Sequence, residues 1–169
     1  MADSVTSLPR DAFVARFGGV FEHSAWVAEG AYDRGLGPEA DTAAGLHAAM
    51  VAVMRAAPRE RQLALINAHP DLAGRLARAG RLTADSSKEQ ASAGLDMLTD
   101  EERSRFEKLN DDYKARFGFP FIMAVKGATK AQILDAFERR LGHDEAQEFA
   151  TALEQIEKIA RLRLDDMLS

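Results

Sequence analysis

Apolar residues recur every three or four positions in one segment of this chain after another, and proline or glycine separates the segments. The clearest case runs from residue 39 to 57, where Leu46, Met50 and Val53 follow this spacing. Residues spaced in this way share one face of an α-helix, which has to be covered by other helices. The strict polar–apolar alternation of paired strands is not seen in the sequence. The spacing therefore predicts an all-α fold.

Capping residues mark where several of the predicted helices begin. Thr99 and Glu102 have the spacing of a capping box, in which each side chain bonds to the backbone of the other residue, so a long helix is expected over about 100–116. Ser86 or Ser87 is expected to cap a helix that follows it, and Thr129 is expected to cap the helix over 129–141. The other predicted helices cover about 9–17, 21–34, 39–57, 59–68, 71–79, 129–141 and 144–168.

The most apolar stretch of the chain runs from Phe119 to Gly127. Its length fits a buried strand as well as an extended or a short helical segment, and periodicity does not decide between them. With 169 residues the chain is long enough to bury a substantial core. We therefore expect a single compact domain of about eight helices spanning residues 1–169.

Charge and composition exclude several classes of function. The formal net charge of −5 disfavours a nucleic-acid partner, because such proteins normally present a basic face. The chain has no cysteine, which excludes a disulfide framework, a thiolate nucleophile and a cysteine-bound zinc ion. No apolar run approaches the roughly 18 residues of a membrane helix, and the first residues do not resemble a secretory signal. We expect a cytoplasmic protein that binds neither nucleic acid nor membrane.

His69 is the first candidate for proton-transfer chemistry. Pro70 follows it, and a proline both ends the preceding helix and keeps the residue before it out of helical backbone conformations. His69 is therefore expected at a rigid corner, where an imidazole can act as an acid or a base. The other histidines, His23, His47 and His143, are expected to be structural or simply exposed.

Each of these signals also has a simpler structural explanation. A His–Pro corner is good turn chemistry, and an acidic residue such as Glu89 near a helix start already favours the helix dipole. His69 and Asp71 alone are too sparse a ligand set for a metal ion. No phosphate-binding glycine loop is present in the sequence, so a nucleotide cofactor is not expected.

Three motifs lie along the chain in a fixed order. They are Asn67-Ala68-His69-Pro70-Asp71-Leu72-Ala73-Gly74, then Ser86-Ser87-Lys88-Glu89-Gln90 with Ala93-Gly94-Leu95 behind it, and then Phe117-Gly118-Phe119-Pro120-Phe121-Ile122. In order and spacing, including the 20 positions from His69 to Glu89, they resemble the OHCU decarboxylase family. Its members act on 2-oxo-4-hydroxy-4-carboxy-5-ureidoimidazoline (OHCU) in urate breakdown. The likeness extends to the residues around 159–164.

The resemblance implies an all-α homodimer that needs no metal or organic cofactor. It implies that His69 is the catalytic histidine, that Glu89 lies near it, and that Pro70 contributes to the substrate pocket. It also implies two substrate-binding stretches, which consist of Ser86, Ser87, Lys88, Glu89 and Gln90, and of Phe121, Ile122, Met123, Ala124 and Val125.

These residues suit the implied reaction, the decarboxylation of OHCU to (S)-allantoin. We expect His69 to act as a general acid/base and Glu89 to orient its imidazole and stabilise its charged form. Ser86 and Gln90 can hydrogen-bond the polar groups of the substrate, as can backbone N–H groups over 121–125. Two alternatives stay open, namely a helical interaction module without catalysis and a related lyase that acts on another ureide.

Overall fold

Eight α-helices make up most of the computed structural model, which describes residues 4–72 and 82–168. Those residues contain no β-strand, so the prediction of an all-α fold is confirmed. No helix among them is long and apolar enough to cross a membrane. The helices are α1 (Arg10–Phe17), α2 (Trp26–Asp33), α3 (Ala43–Ala56), α4 (Arg59–Ala68), α5 (Ala84–Ser92), α6 (Asp100–Phe117), α7 (Lys130–Arg140) and α8 (Glu145–Leu168). Two short 3-10 helices span Val5–Ser7 and Pro38–Asp41.

The chain between α4 and α6 differs in part from what the sequence predicts. A helix cap was expected at Ser86 or Ser87, and this is wrong: α5 begins earlier, at Ala84, because Thr83 caps it by accepting a hydrogen bond from the backbone N–H of Ser86. The expected helix over 71–79 lies largely outside the described residues.

The chain divides into two compact units. The first unit comprises residues 1–68 and 157–169, and the second comprises residues 69–156. The boundary in the C-terminal half falls inside α8, between Ile156 and Glu157, so this helix contributes residues to both units. A single domain over 1–169 stays a prediction.

In the first unit, the second part of α8 is bound through polar contacts to the connection between α1 and α2 and to α3. The buried Arg163 pairs with the buried Glu22 at 2.8 Å, and its guanidinium donates to the carbonyl of Val20 at 3.2 Å. His47 Nε2 lies 2.8 Å from the carbonyl oxygen of Glu157. His47 therefore has a structural contact, one of the two roles expected for it.

The start of α3 requires a glycine at position 45. Thr42 caps this helix by accepting a hydrogen bond from the N–H of Gly45 at 3.0 Å. A Cβ atom at position 45 would lie 1.9 Å from the carbonyl oxygen of Glu39, in the preceding 3-10 helix. Only glycine allows the two backbones to approach so closely.

The second unit contains α5, α6, α7 and the first part of α8 around an aromatic core. Both expected caps are confirmed, since Thr99 begins α6 and Thr129 begins α7 with complete capping boxes. Gly118 ends α6 with a φ of 79°, a left-handed conformation that favours glycine. The aromatic core consists of Phe106, Tyr113, Phe117, Phe119, Phe121, Phe137 and Phe149.

Candidate functional site

His69 lies directly after the last residue of α4, in irregular backbone, as the His–Pro sequence predicts. Helix α4 ends at Ala68, and neither His69 nor Pro70 is helical. The side chain is largely enclosed, because only 6% of His69 is exposed to solvent. We call residues 69–72 the His69 corner.

Side chains of α5 and α6 hold this corner by its carbonyl groups. Gln90 donates from Nε2 to the carbonyl of Asp71 at 3.3 Å, and Asn110 donates from Nδ2 to the carbonyl of Leu72 at 2.7 Å. The ammonium of Lys114, one helical turn after Asn110, lies 4.0 Å from the Asp71 carboxylate. The corner is thus fixed by contacts from outside its own segment, and irregular backbone can keep one conformation only in this way.

Helix α5 turns one face of the second predicted motif toward the interior of the second unit. Ser86 and Gln90, four positions apart, are both buried. Glu89 lies at the border of this face and is half-buried, whereas Ser87 and Lys88 are exposed. Because residues three and four apart share a face of a helix, Ser86, Glu89 and Gln90 can serve one site together.

The third motif forms an irregular segment. We call residues 119–125 the extended segment, because they follow Gly118 without forming a helix or a strand. Phe121 and Ile122 are buried in it, while Met123 and Ala124 are half-buried. The ring of Phe121 stacks on Phe137 with centroids 3.8 Å apart, so this side chain is occupied in packing. The part of Phe121 that remains for other contacts is therefore its backbone.

Two backbone groups of the extended segment bond to side chains from α7 and α8. Arg140 donates from Nη1 to the carbonyl of Ile122 at 2.6 Å, and its guanidinium lies 4.3 Å from the centre of the Phe121 ring. The N–H of Ala124 donates to Oε1 of Gln155 at 3.0 Å. These contacts give the segment a fixed course without regular secondary structure.

Glu148 is the centre of the polar network around Arg140. Its carboxylate is fully buried; it accepts hydrogen bonds from Arg140 Nε at 2.8 Å and from the Tyr113 hydroxyl at 2.6 Å. His143 Nδ1 lies 2.9 Å from its second oxygen, so His143 has a structural contact. Burial, together with the hydrogen bond to Glu148, raises the pKa of Tyr113 well above its ordinary value.

Sequence reasoning missed the residues that support the site. These are Asn110, Lys114, Tyr113, Arg140, Glu148 and Gln155. Metal binding was not expected, and in the described ranges 4–72 and 82–168 no three histidine, aspartate or glutamate side chains come together to hold a metal ion.

Comparison with known proteins gives matches over almost the whole chain. A family model described as OHCU decarboxylase matches residues 6–165. The 2-oxo-4-hydroxy-4-carboxy-5-ureidoimidazoline decarboxylase of Haloferax volcanii is 44% identical over 165 residues, which cover 98% of this chain and 94% of that protein. The uric acid degradation bifunctional protein of Bacillus subtilis is 40% identical over 167 residues, which cover 99% of this chain and 32% of that longer protein.

A solved structure of (S)-allantoin synthase also matches, with a TM-score of 0.74 and 37% identity. The match covers 95% of this chain and 51% of that one, so this chain spans about half of its length. Matches of this extent define the chain as an all-α enzyme of the carboxy-lyase class. It belongs to the OHCU decarboxylase family.

Proposed function

We propose that this protein decarboxylates OHCU to (S)-allantoin, with His69 as the acid/base. The observation that carries the proposal is the enclosed His69 corner, whose neighbouring carbonyls are held by Gln90 and Asn110 at 3.3 and 2.7 Å. An imidazole with a fixed backbone in an enclosed position is suited to deliver a proton to one face of a bound molecule. The family membership supports the reaction class.

The substrate itself can take up the electrons that the reaction releases. Its carboxylate is attached to carbon 4, next to the C=N bond of carbon 5. When the bond to CO₂ breaks, its electron pair forms a double bond between carbons 4 and 5, and the pair of the C=N bond moves to the nitrogen. The nitrogen takes up a proton, and an enol remains at carbon 4. A proton is then added to carbon 5, the enol hydroxyl loses its proton, and allantoin results. Because the substrate contains its own electron acceptor, the tasks left for the protein are binding, desolvation and proton transfer.

Several of the predicted site residues have a role in this scheme. His69 exchanges the proton of the hydroxyl group or of the enol, and Glu89 stabilises the charged imidazole. Pro70 lines the pocket, while Ser86 and Gln90 bond the ureido and ring carbonyl groups. Protonation on a single face accounts for one enantiomer. Contacts from Ser87 and Lys88 stay predictions, as do those from the backbone of Phe121, Ile122, Met123, Ala124 and Val125.

The proposal is tested with freshly generated substrate. Urate is converted to OHCU by urate oxidase and hydroxyisourate hydrolase, both enzymes are removed by filtration, and this protein is added. We expect circular dichroism to show (S)-allantoin forming faster than in the sample without the protein. Racemic allantoin at the uncatalysed rate would contradict the proposal. Consumption of another ureide, such as allantoate, with no effect on OHCU would favour the related lyase instead.

A further inference from the structure

We propose that Arg140 and Gln155 are positioning residues that hold the extended segment, residues 119–125, in its substrate-binding conformation. This inference rests on the proposed function, because it takes the backbone of 121–125 as one wall of the OHCU site. Neither residue belongs to the three motifs of the sequence, and neither is required to contact the substrate.

The first observation is that both residues bond to the backbone of the segment rather than to its side chains. Arg140 donates to the carbonyl of Ile122 at 2.6 Å, and Gln155 accepts from the N–H of Ala124 at 3.0 Å. The two bonded groups are two positions apart, on either side of Met123. A segment without secondary structure has no ladder of its own to define its course. These two contacts therefore determine which backbone groups are occupied and which can turn to a ligand.

The second observation is that Arg140 is not arranged for maximum stability. It is 5% exposed and paired with a fully buried carboxylate, that of Glu148. Buried ion pairs of this kind add little to stability compared with apolar residues of similar size. In addition, Nη2 of Arg140 is buried without a hydrogen-bond partner among residues 4–72 and 82–168. The burial of Arg140 is better explained by its hydrogen bond to the carbonyl of Ile122 than by a gain in stability.

The third observation is that one side of α8 acts on both contacts, on one directly and on the other through Arg140. Glu148, which fixes the guanidinium of Arg140, and Gln155 lie seven positions apart, which is two turns of a helix. The same side of α8 thus fixes the position of the Ile122 carbonyl through Arg140 and the position of the Ala124 N–H directly. If the segment already has its binding conformation before the substrate arrives, less conformational entropy is lost on binding.

The test compares Gln155→Leu with Gln155→Glu, which keeps an oxygen acceptor for the N–H of Ala124. Gln155 is half-buried, so both variants are expected to fold. We expect Gln155→Leu to raise KM for OHCU about three- to tenfold, the range of one hydrogen bond, with kcat changed less than KM. Gln155→Glu should stay close to the parent. Gln147→Leu makes the same substitution at an exposed position of α8 and serves as the matched control.

A second variant tests Arg140. Arg140→Lys keeps a positive charge beside Glu148, but one ammonium group lacks the fork that bonds the carboxylate and the carbonyl of Ile122 together. We expect a raised KM here as well, in addition to a lower Tm. A lower Tm with an unchanged KM would show that Arg140 is only structural, and would overturn its half of the proposal.

Hydrogen exchange gives a readout that does not depend on turnover. In the protein without ligand, the amide of Ala124 should be protected in the parent and in Gln155→Glu but exchange faster in Gln155→Leu. Equal KM and equal exchange in all three proteins would overturn the role of Gln155, while the parent still turned over OHCU. A parent protein that does not accelerate OHCU decarboxylation would overturn the proposed function, and this inference with it.

Discussion

Asn110 illustrates how a single buried amide can act on the proposed chemistry from a distance. It is 3% exposed, lies in the middle of α6, and bonds the carbonyl of Leu72, three residues after His69. Asparagine in the middle of a helix is unfavourable by propensity, so its presence there calls for a compensating contact. The hydrogen bond to the His69 corner provides that contact.

We expect Asn110→Leu to loosen the His69 corner. The substitution keeps the shape of the side chain but removes the donor, so the Leu72 carbonyl loses its partner at a cost of about 1–3 kcal/mol. The misplacement should lower kcat for OHCU, because proton transfer depends on the position of the imidazole. Steady-state kinetics and urea unfolding measure the two effects separately.

The control is Leu109→Ala, the neighbouring position on α6, which is also buried. Truncation of a buried leucine costs about 2–5 kcal/mol, so this variant should be at least as destabilised as Asn110→Leu. We expect it to retain a higher kcat while it is folded. Equal losses of kcat in the two variants would mean that Asn110 acts only through stability.

Several of the supporting residues carry a signal in the sequence, because they lie on the apolar stripe of a helix. Asn110 falls in phase with Phe106, Tyr113 and Phe117 on the apolar stripe of α6. In the same way Arg140 continues the buried positions 133 and 137, and Glu148 continues 152 and 156. A polar residue on such a stripe must be buried and therefore needs a partner. The identity of the partner depends on tertiary packing and could not be predicted.

At the scale of the element, the capping boxes of α6 and α7 differ in the residue that bonds back to the cap, which is a glutamate in one and a glutamine in the other. In α6 the reciprocal residue is Glu102, which accepts from the N–H of Thr99 at 3.0 Å and from Lys130 at 3.1 Å. In α7 it is Gln132, which accepts from the N–H of Thr129 at 2.9 Å. A neutral amide thus completes the same motif, and only the carboxylate adds an ion pair.

We expect Glu102→Gln to remove a pH-dependent contribution of the Glu102 carboxylate to the stability of the protein. The backbone N–H of Thr99 and then Lys130 lower the pKa of the Glu102 carboxyl below its ordinary value. A group whose pKa is lowered by folding stabilises the protein above its unfolded-state pKa, and this contribution disappears as pH falls through the folded-state value. The parent should therefore have a higher Tm than Glu102→Gln near neutral pH, and the difference should shrink below about pH 4.

Glu101→Gln is the matched control, since it removes the same charge at an exposed position of the same turn. Thermal unfolding of the three proteins between pH 3 and 7, at low salt, makes the comparison. A difference in Tm between the parent and Glu102→Gln that does not change with pH would show that the carboxylate contributes nothing beyond its hydrogen bond.

Gly45 gives a prediction opposite to the usual rule for helices. Alanine is normally about 1 kcal/mol better than glycine within a helix. A Cβ atom at this position would overlap the carbonyl of Glu39, so Gly45→Ala should lower the midpoint of urea unfolding. Ala44→Gly, at the exposed neighbouring position, should lose only the stability that an alanine-to-glycine change usually costs in a helix. A more stable Gly45→Ala protein would contradict the close approach at the start of α3.

The elements show where sequence reasoning succeeds and where it does not. Thr99, Thr129 and the His–Pro corner were predicted correctly because each depends on local backbone chemistry. The start of α5 was placed too late, because Thr83 and the two serines, Ser86 and Ser87, are all good caps and local rules do not choose among them. The extended segment could not be predicted, because Arg140 and Gln155 stabilise it from outside.

At the scale of the whole molecule, the residues of the proposed site all belong to the second unit, residues 69–156. The sequence predicts one domain and contains no proline or glycine at the boundary inside α8. Hydrophobic spacing continues along this helix, so the boundary inside α8 has no sequence signal. The homodimer implied by the family resemblance and the cytoplasmic location expected from the composition stay predictions. Light scattering on the purified protein would determine the oligomeric state.

The activity of His69→Ala on freshly generated OHCU tests the central claim most directly. Circular dichroism and thermal unfolding first establish that the variant is folded like the parent, and Glu89→Gln is measured beside it. If the imidazole is the acid/base, kcat should fall by roughly two to four decades in His69→Ala, and by less in Glu89→Gln. A folded His69→Ala protein that forms (S)-allantoin at the parental rate would contradict the account.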